Sequence, residues 1–130
     1  MKKSVLIAAL STLFALPALA SSVKFKDVQH STGMSNTVTA TVTIKKNDQT
    51  VVNAEQRNIG NTNTVDVNKD DTIIFQDTAT TTDAAQDKDT KCYSLKDITK
   101  SCEVNYYALE TLGPSDSNLP MAGIHDSSCA

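Results

Sequence analysis

Residues 37–44 read TVTATVTI, a strict alternation with Val38, Ala40, Val42 and Ile44 on one side and four threonines on the other. Successive side chains of an extended chain point to opposite faces, so the run predicts a β-strand with an apolar inner face and a hydroxyl-bearing outer one. Val23 and Phe25 mark a shorter alternation upstream. Lys46, Asn47, Asp48 and Gln49 supply turn residues, and residues 50–59 can return as the partner strand. After a break centred on Gly60, residues 64–67 and 72–76 flank Asn68, Lys69, Asp70 and Asp71, a pattern that predicts a hairpin. Residues 77–91 carry no apolar period. They predict a long polar loop, with a helical turn over residues 83–88. Cys102, Val104, Tyr106 and Ala108 alternate as a late strand. From about residue 113 the serines, Pro114 and Pro120 predict an irregular tail, with at most a short helix after Asn118.

Short strands at close spacing, with no long helical period, predict an all-β domain: an immunoglobulin-like β-sandwich of about seven strands, with a small Greek-key barrel as the alternative. The stretch VDVNKDDTIIF, residues 65–75, resembles the strand-turn-strand of many exported β-sandwich proteins, copper-binding ones among them. That resemblance implies the fold and carries no activity.

The first twenty residues, MKKSVLIAALSTLFALPALA, run from two lysines through an apolar segment to Ala18, Leu19 and Ala20. This is the layout of a bacterial signal peptide cleaved before Ser21. Its apolar core is shorter than the roughly 20 residues a membrane span requires. The residue directly after the cleavage point is Ser21 and not cysteine, so a lipid anchor is not expected, and the product is expected in the periplasm or outside the cell. Cleavage leaves residues 21–130 as one domain, with 10 basic against 15 acidic side chains. A mildly acidic chain whose sole arginine is Arg57 argues against nucleic acid and anionic lipid as partners. The aromatics after residue 20 are Phe25, Phe75, Tyr93, Tyr106 and Tyr107, so the core rests mainly on Val and Ile and is thin.

A thin core gives the cysteines importance. Cys92 and Cys102 have nine residues between them in KCYSLKDITKSC, and Cys129 is next to last. The spacing is neither the C-x-x-C of redox proteins nor a zinc pattern. In an oxidising compartment the expected outcome is a Cys92–Cys102 disulfide, with pairings through Cys129 as alternatives. Closing so short a loop would stabilise the fold by about 3 kcal/mol in the chain-entropy model. Cys129 is then a free thiol or an intermolecular bridge, so the expected state is a monomer or a Cys129-linked dimer.

Two metal readings arise from spacing. Met121, His125 and Cys129 recur at every fourth residue, and thioether, imidazole and thiolate together suit monovalent copper. Asp66, Asn68, Asp70 and Asp77 occupy the first, third, fifth and twelfth positions of a calcium-type loop. Asp71 stands where that loop needs glycine, and Asp77 replaces its bidentate glutamate; a solvated turn explains the same residues. The threonines at 37, 39, 41 and 43 form a flat hydroxyl stripe of the kind that can order water at an ice or crystal surface, and threonine is also simply suited to the wet face of a strand.

No nucleophile-base or paired-carboxylate spacing stands out, so no enzymatic activity and no cofactor are expected. The expected function is that of a small binding or inhibitor-like module recognising a protein or cell-envelope partner through loops at one end of the sandwich. The expected contacts lie in residues 93–101, chiefly Tyr93, Leu95, Lys96, Asp97 and Ile98, and in the polar loop of residues 77–91. A periplasmic copper carrier and a weak calcium-binding domain are the alternatives.

Overall fold

The TVTATVTI alternation becomes the centre of a sheet. The computed structural model describes residues 21–30, 38–56, 59–81, 88–112 and 118–129. The expected leader (residues 1–20), Thr37 and most of the expected helical turn (residues 82–87) lie outside these. Eight strands are formed: β1 (Ser21–His30), β2 (Val38–Lys46), β3 (Gln49–Gln56), β4 (Thr62–Val67), β5 (Thr72–Thr81), β6 (Lys88–Lys96), β7 (Cys102–Leu112) and β8 (Asn118–Ser127). They make two four-stranded sheets, ordered β4-β1-β7-β8 and β3-β2-β5-β6. All neighbours are antiparallel except β1 and β7, which run parallel.

The two sheets pack face to face as a sandwich, as the strand spacing predicts. The barrel alternative is not formed, because the hydrogen-bonded ladders of the two sheets remain separate. Val38, Ala40, Val42 and Ile44 are buried, and Thr39, Thr41 and Thr43 lie on the outer face. The larger core cluster centres on three rings. Phe25 stacks on Phe75 with centroids 4.8 Å apart, and Phe75 meets Tyr106 at 4.8 Å in a tilted arrangement. Val23, Val42, Ile44, Val67, Ile73 and Leu95 surround them. Each such aliphatic side chain contributes on the order of 1.5–3 kcal/mol when fully buried. A second cluster, Val38, Ala40, Ala79, Ala108 and Ala122, is made almost wholly of alanine.

The β2–β3 hairpin forms as expected, with Asn47 at φ 50° and Asp48 at φ 66°. Two consecutive left-handed residues make the kind of two-residue loop whose twist matches that of the paired strands. The second expected hairpin is corrected. β4 and β5 belong to opposite sheets, and the turn at residues 68–71 carries the chain across the sandwich. Both alternations point inward, Val65 and Val67 from one sheet and Ile73 and Phe75 from the other, so they face each other instead of sharing a ladder. Asp71 closes this turn. Its N–H donates to the Asn68 carbonyl at 3.0 Å, and its carboxylate accepts from the Asn68 N–H at 2.8 Å. That N–H and the Asn47 amide hold the Asp71 carboxyl below its ordinary pKa.

Most of the expected polar loop is sheet. β5 runs on to Thr81 with Asp77, Ala79 and Thr81 buried, and β6 resumes at Lys88. The expected irregular tail is β8, paired along β7 from Asn118 to Ser127, in place of any short helix after Asn118. β8 is also tied to the opposite sheet. The Ala122 N–H donates to Asp89 Oδ2 at 2.9 Å, and the Gly123 N–H donates to Asp77 Oδ2 at 3.3 Å.

Candidate binding surface

The disulfide joins Cys102 to Cys129, with Cα atoms 5.2 Å apart, and Cys92 is free and exposed. The expected Cys92–Cys102 pairing is therefore corrected. Cys92, on β6, opposes Gln76 of β5 and projects from the outer face of one sheet. Cys102 starts β7 in the other sheet and packs against the core. Although near in sequence, the two cysteines belong to different sheets. Cys129 is buried in the core cluster, which also removes the expected Cys129-linked dimer and takes its thiolate from the copper set. Met121 is half-buried on β8. His125 is exposed at a bulge in the β7–β8 ladder, with Nε2 3.7 Å from Asp126 Oδ2.

The calcium-type set is also separated by the fold. Asp66 is exposed on β4, Asn68 and Asp70 lie in the turn, and Asp77 is carried into the sandwich along β5. Among the described residues no group of three or more His, Cys, Asp or Glu side chains is placed to hold a metal ion.

The expected contact residues are split as well. Tyr93, Leu95 and Lys96 belong to β6, with Leu95 in the core. The connecting loop proper begins at Asp97, whose φ of 58° turns the chain at the end of the sandwich. Asp tolerates this left-handed region better than most residues. Ile98 then plugs the end of the core, 5% exposed, and anchors the loop from below. Ser101 is fastened to the first strand: the Ser22 N–H donates to Ser101 Oγ at 3.0 Å, and the two hydroxyls lie 3.3 Å apart.

The C-terminal segment braces the same end. The Ser128 N–H donates to the Glu103 carbonyl at 2.9 Å, and the Glu103 N–H donates to Ser128 Oγ at 2.9 Å. With the disulfide one residue to either side, the exit from β8 is fixed to the entry of β7.

Around this braced end lie three open depressions. One, of about 370 Å³, is lined by Ser21, Val67, Ile98, Thr99, Lys69 and Asp70, among others. The second, about 210 Å³, lies on the other side of Ile98 and Thr99 and is walled by the disulfide, Asp97 and Lys100. The third, about 390 Å³, continues past Cys102 to Ser101, Lys24 and Glu103. Each contains one lysine and one carboxylate over a partly apolar floor. None of the three gathers the clustered charge of one sign that a polyanion or polycation would need.

Asp97, Ile98 and Ser101, all within the expected 93–101 stretch, lie at this end, whereas Ser21, Lys69 and Ser128 come to it from other elements. No sequence signal tied residues 68–71, read as a hairpin turn, to this end of the sandwich. No protein-family model matches the chain, and neither a curated protein nor a solved structure matches it significantly.

Proposed function

We propose that the chain is an exported, non-enzymatic binding module that recognises a protein or cell-envelope partner through the end of the sandwich around residues 97–101. The observation that carries this reading is the run of three charge-balanced depressions sharing a loop anchored by Ile98 and braced by the Cys102–Cys129 disulfide. A rigid scaffold presenting a fixed loop loses little conformational entropy on binding. Export is supported by the leader-like first twenty residues and by the disulfide, which forms and persists in oxidising compartments.

The test is site-specific photo-crosslinking in the intact producing cell. A photoreactive residue at Thr99 should give one adduct of defined mass, and the same residue at Val51 on the far edge strand should not. Lys100→Glu, which reverses one charge in the second depression, should reduce the Thr99 adduct at least tenfold, and His125→Ala should leave it unchanged. Equal adducts from positions 51 and 99, or loss on His125→Ala alone, would move the site elsewhere.

A further inference from the structure

The outer face of β2, β5 and β6 is the most regular surface of the molecule. β2 pairs with β5 over nine consecutive positions and β5 with β6 over nine more, without a register shift. The β1–β7, β2–β3 and β7–β8 ladders all shift. Directly opposed residues project on the same side of a sheet, so these registers lay out rows on the outer face. Thr39 stands beside Thr80, Thr41 beside Thr78 and Thr90, and Thr43 beside Gln76 and Cys92. The single threonine stripe read in the sequence gains Thr78 and Thr80 from β5 and Thr90 from β6, neighbours that only the fold supplies.

The block formed by the Thr41 and Thr43 rows is uncharged; Lys88 closes the Thr39–Thr80 row on β6, and Lys45 and Lys96 flank the other end. It also holds no aromatic ring, since Phe75 and Tyr93 belong to the inner positions of β5 and β6. Several hydroxyls are held by neighbours. Thr78 Oγ1 and Thr90 Oγ1 lie 3.2 Å apart, Thr80 Oγ1 donates to the Thr39 carbonyl at 3.2 Å, and Thr43 Oγ1 accepts the Ala54 N–H at 3.0 Å. A hydroxyl has one donor and two acceptor positions, so each retains capacity toward solvent while its rotamer is constrained. Sheet geometry sets their repeat at about 6.8 Å along a strand and about 4.8 Å across strands.

We propose that this face binds an ice surface. Both repeats are comparable with the distances between oxygens on the prism faces of ice, and hydroxyl-methyl pairs in a fixed lattice order water where a charged side chain would break the array. An insoluble polysaccharide would be the other flat, repeating, uncharged ligand, but recognition of sugar rings leans on aromatic stacking, and this face has no ring to offer. The reading is independent of the loop surface at the end of the sandwich.

The test uses the mature, disulfide-bonded protein in ice-recrystallisation and single-crystal shaping assays. The parent and Thr64→Lys, on the outer face of β4, should shape crystals and inhibit recrystallisation. Thr41→Lys and Thr78→Lys should lose both activities with melting temperatures near the parent's. Thr41→Ser, which removes one methyl and cannot plausibly unfold the sheet, should weaken inhibition severalfold and covers the case in which a lysine variant misfolds. A parent without either activity, activity retained in both lysine variants or undiminished in Thr41→Ser, or retention on cellulose or chitin in place of ice would overturn the proposal.

Discussion

At the scale of single residues, Asp89 shows how a side chain with no apolar character can hold an element. Partial burial pushes its carboxyl up, but the bond from the Lys91 ammonium at 2.8 Å and the bond from the Ala122 N–H outweigh that, and its pKa lies below the ordinary value. A carboxyl depressed in the folded state contributes stability that is fully present above its unfolded pKa of about 3.9 and is lost as pH falls through the folded value. Asp89→Asn keeps an oxygen for Ala122 but loses the charge facing Lys91. It should melt below the parent at pH 7, and the difference should close as thermal unfolding is repeated toward pH 3. A difference that does not change with pH would show that charge is not what secures β8. No spacing rule finds this residue, because its partner is a backbone N–H 33 positions away.

At the scale of elements, legibility follows the inner positions of each strand. β2 was legible because every inner residue is apolar. The second half of β5 was not, since its inner positions are Asp77, Ala79 and Thr81. They lie where the alanine-lined cluster leaves no room for large side chains. β8 was hidden for a similar reason. Its buried positions include Pro120, Ala122 and Gly123, and a side chain at 123 would run into the ring of Tyr107, with an added Cβ only 2.5 Å from its hydroxyl oxygen. The β2–β3 turn was readable from composition, and it carries two separable effects. Asp48 gains nothing from its left-handed backbone, so Asp48→Gly should stabilise by about 0.5–1 kcal/mol. Asn47 is equally left-handed but donates to Asp71 Oδ1 at 2.8 Å and accepts from the Thr72 N–H at 2.9 Å. Asn47→Gly should therefore destabilise by about 1–2 kcal/mol despite relieving the same strain. Urea unfolding of the two variants should move the midpoints in opposite directions.

At the scale of the whole molecule, the disulfide closes a loop with a sequence separation of 27 and joins the last strand to the start of β7. The chain-entropy model assigns a loop of this size about 3–4 kcal/mol. Cys129→Ser should lose most of that in denaturant unfolding, whereas Cys92→Ser should stay within about 0.5 kcal/mol of the parent, as an exposed side chain does. Alkylation of the native protein should add one label, at Cys92. The sandwich itself was within reach of sequence reasoning; the pairing of its cysteines was not, because which sheet each strand joins is decided by the topology and leaves no mark on local spacing. That topology also sets an order of events. β1 sits inside its sheet between β4 and β7, and Ser22 bonds to Ser101 across 79 positions of chain. Contacts so remote must overcome the entropy of closing a very long loop before they return any free energy, which slows folding. The amino-terminal strand therefore lacks one neighbour until nearly the entire polypeptide has been synthesised. A ribosome-bound fragment that ends before Cys102 cannot complete this sheet, so the fold is reached only once the chain is nearly full-length.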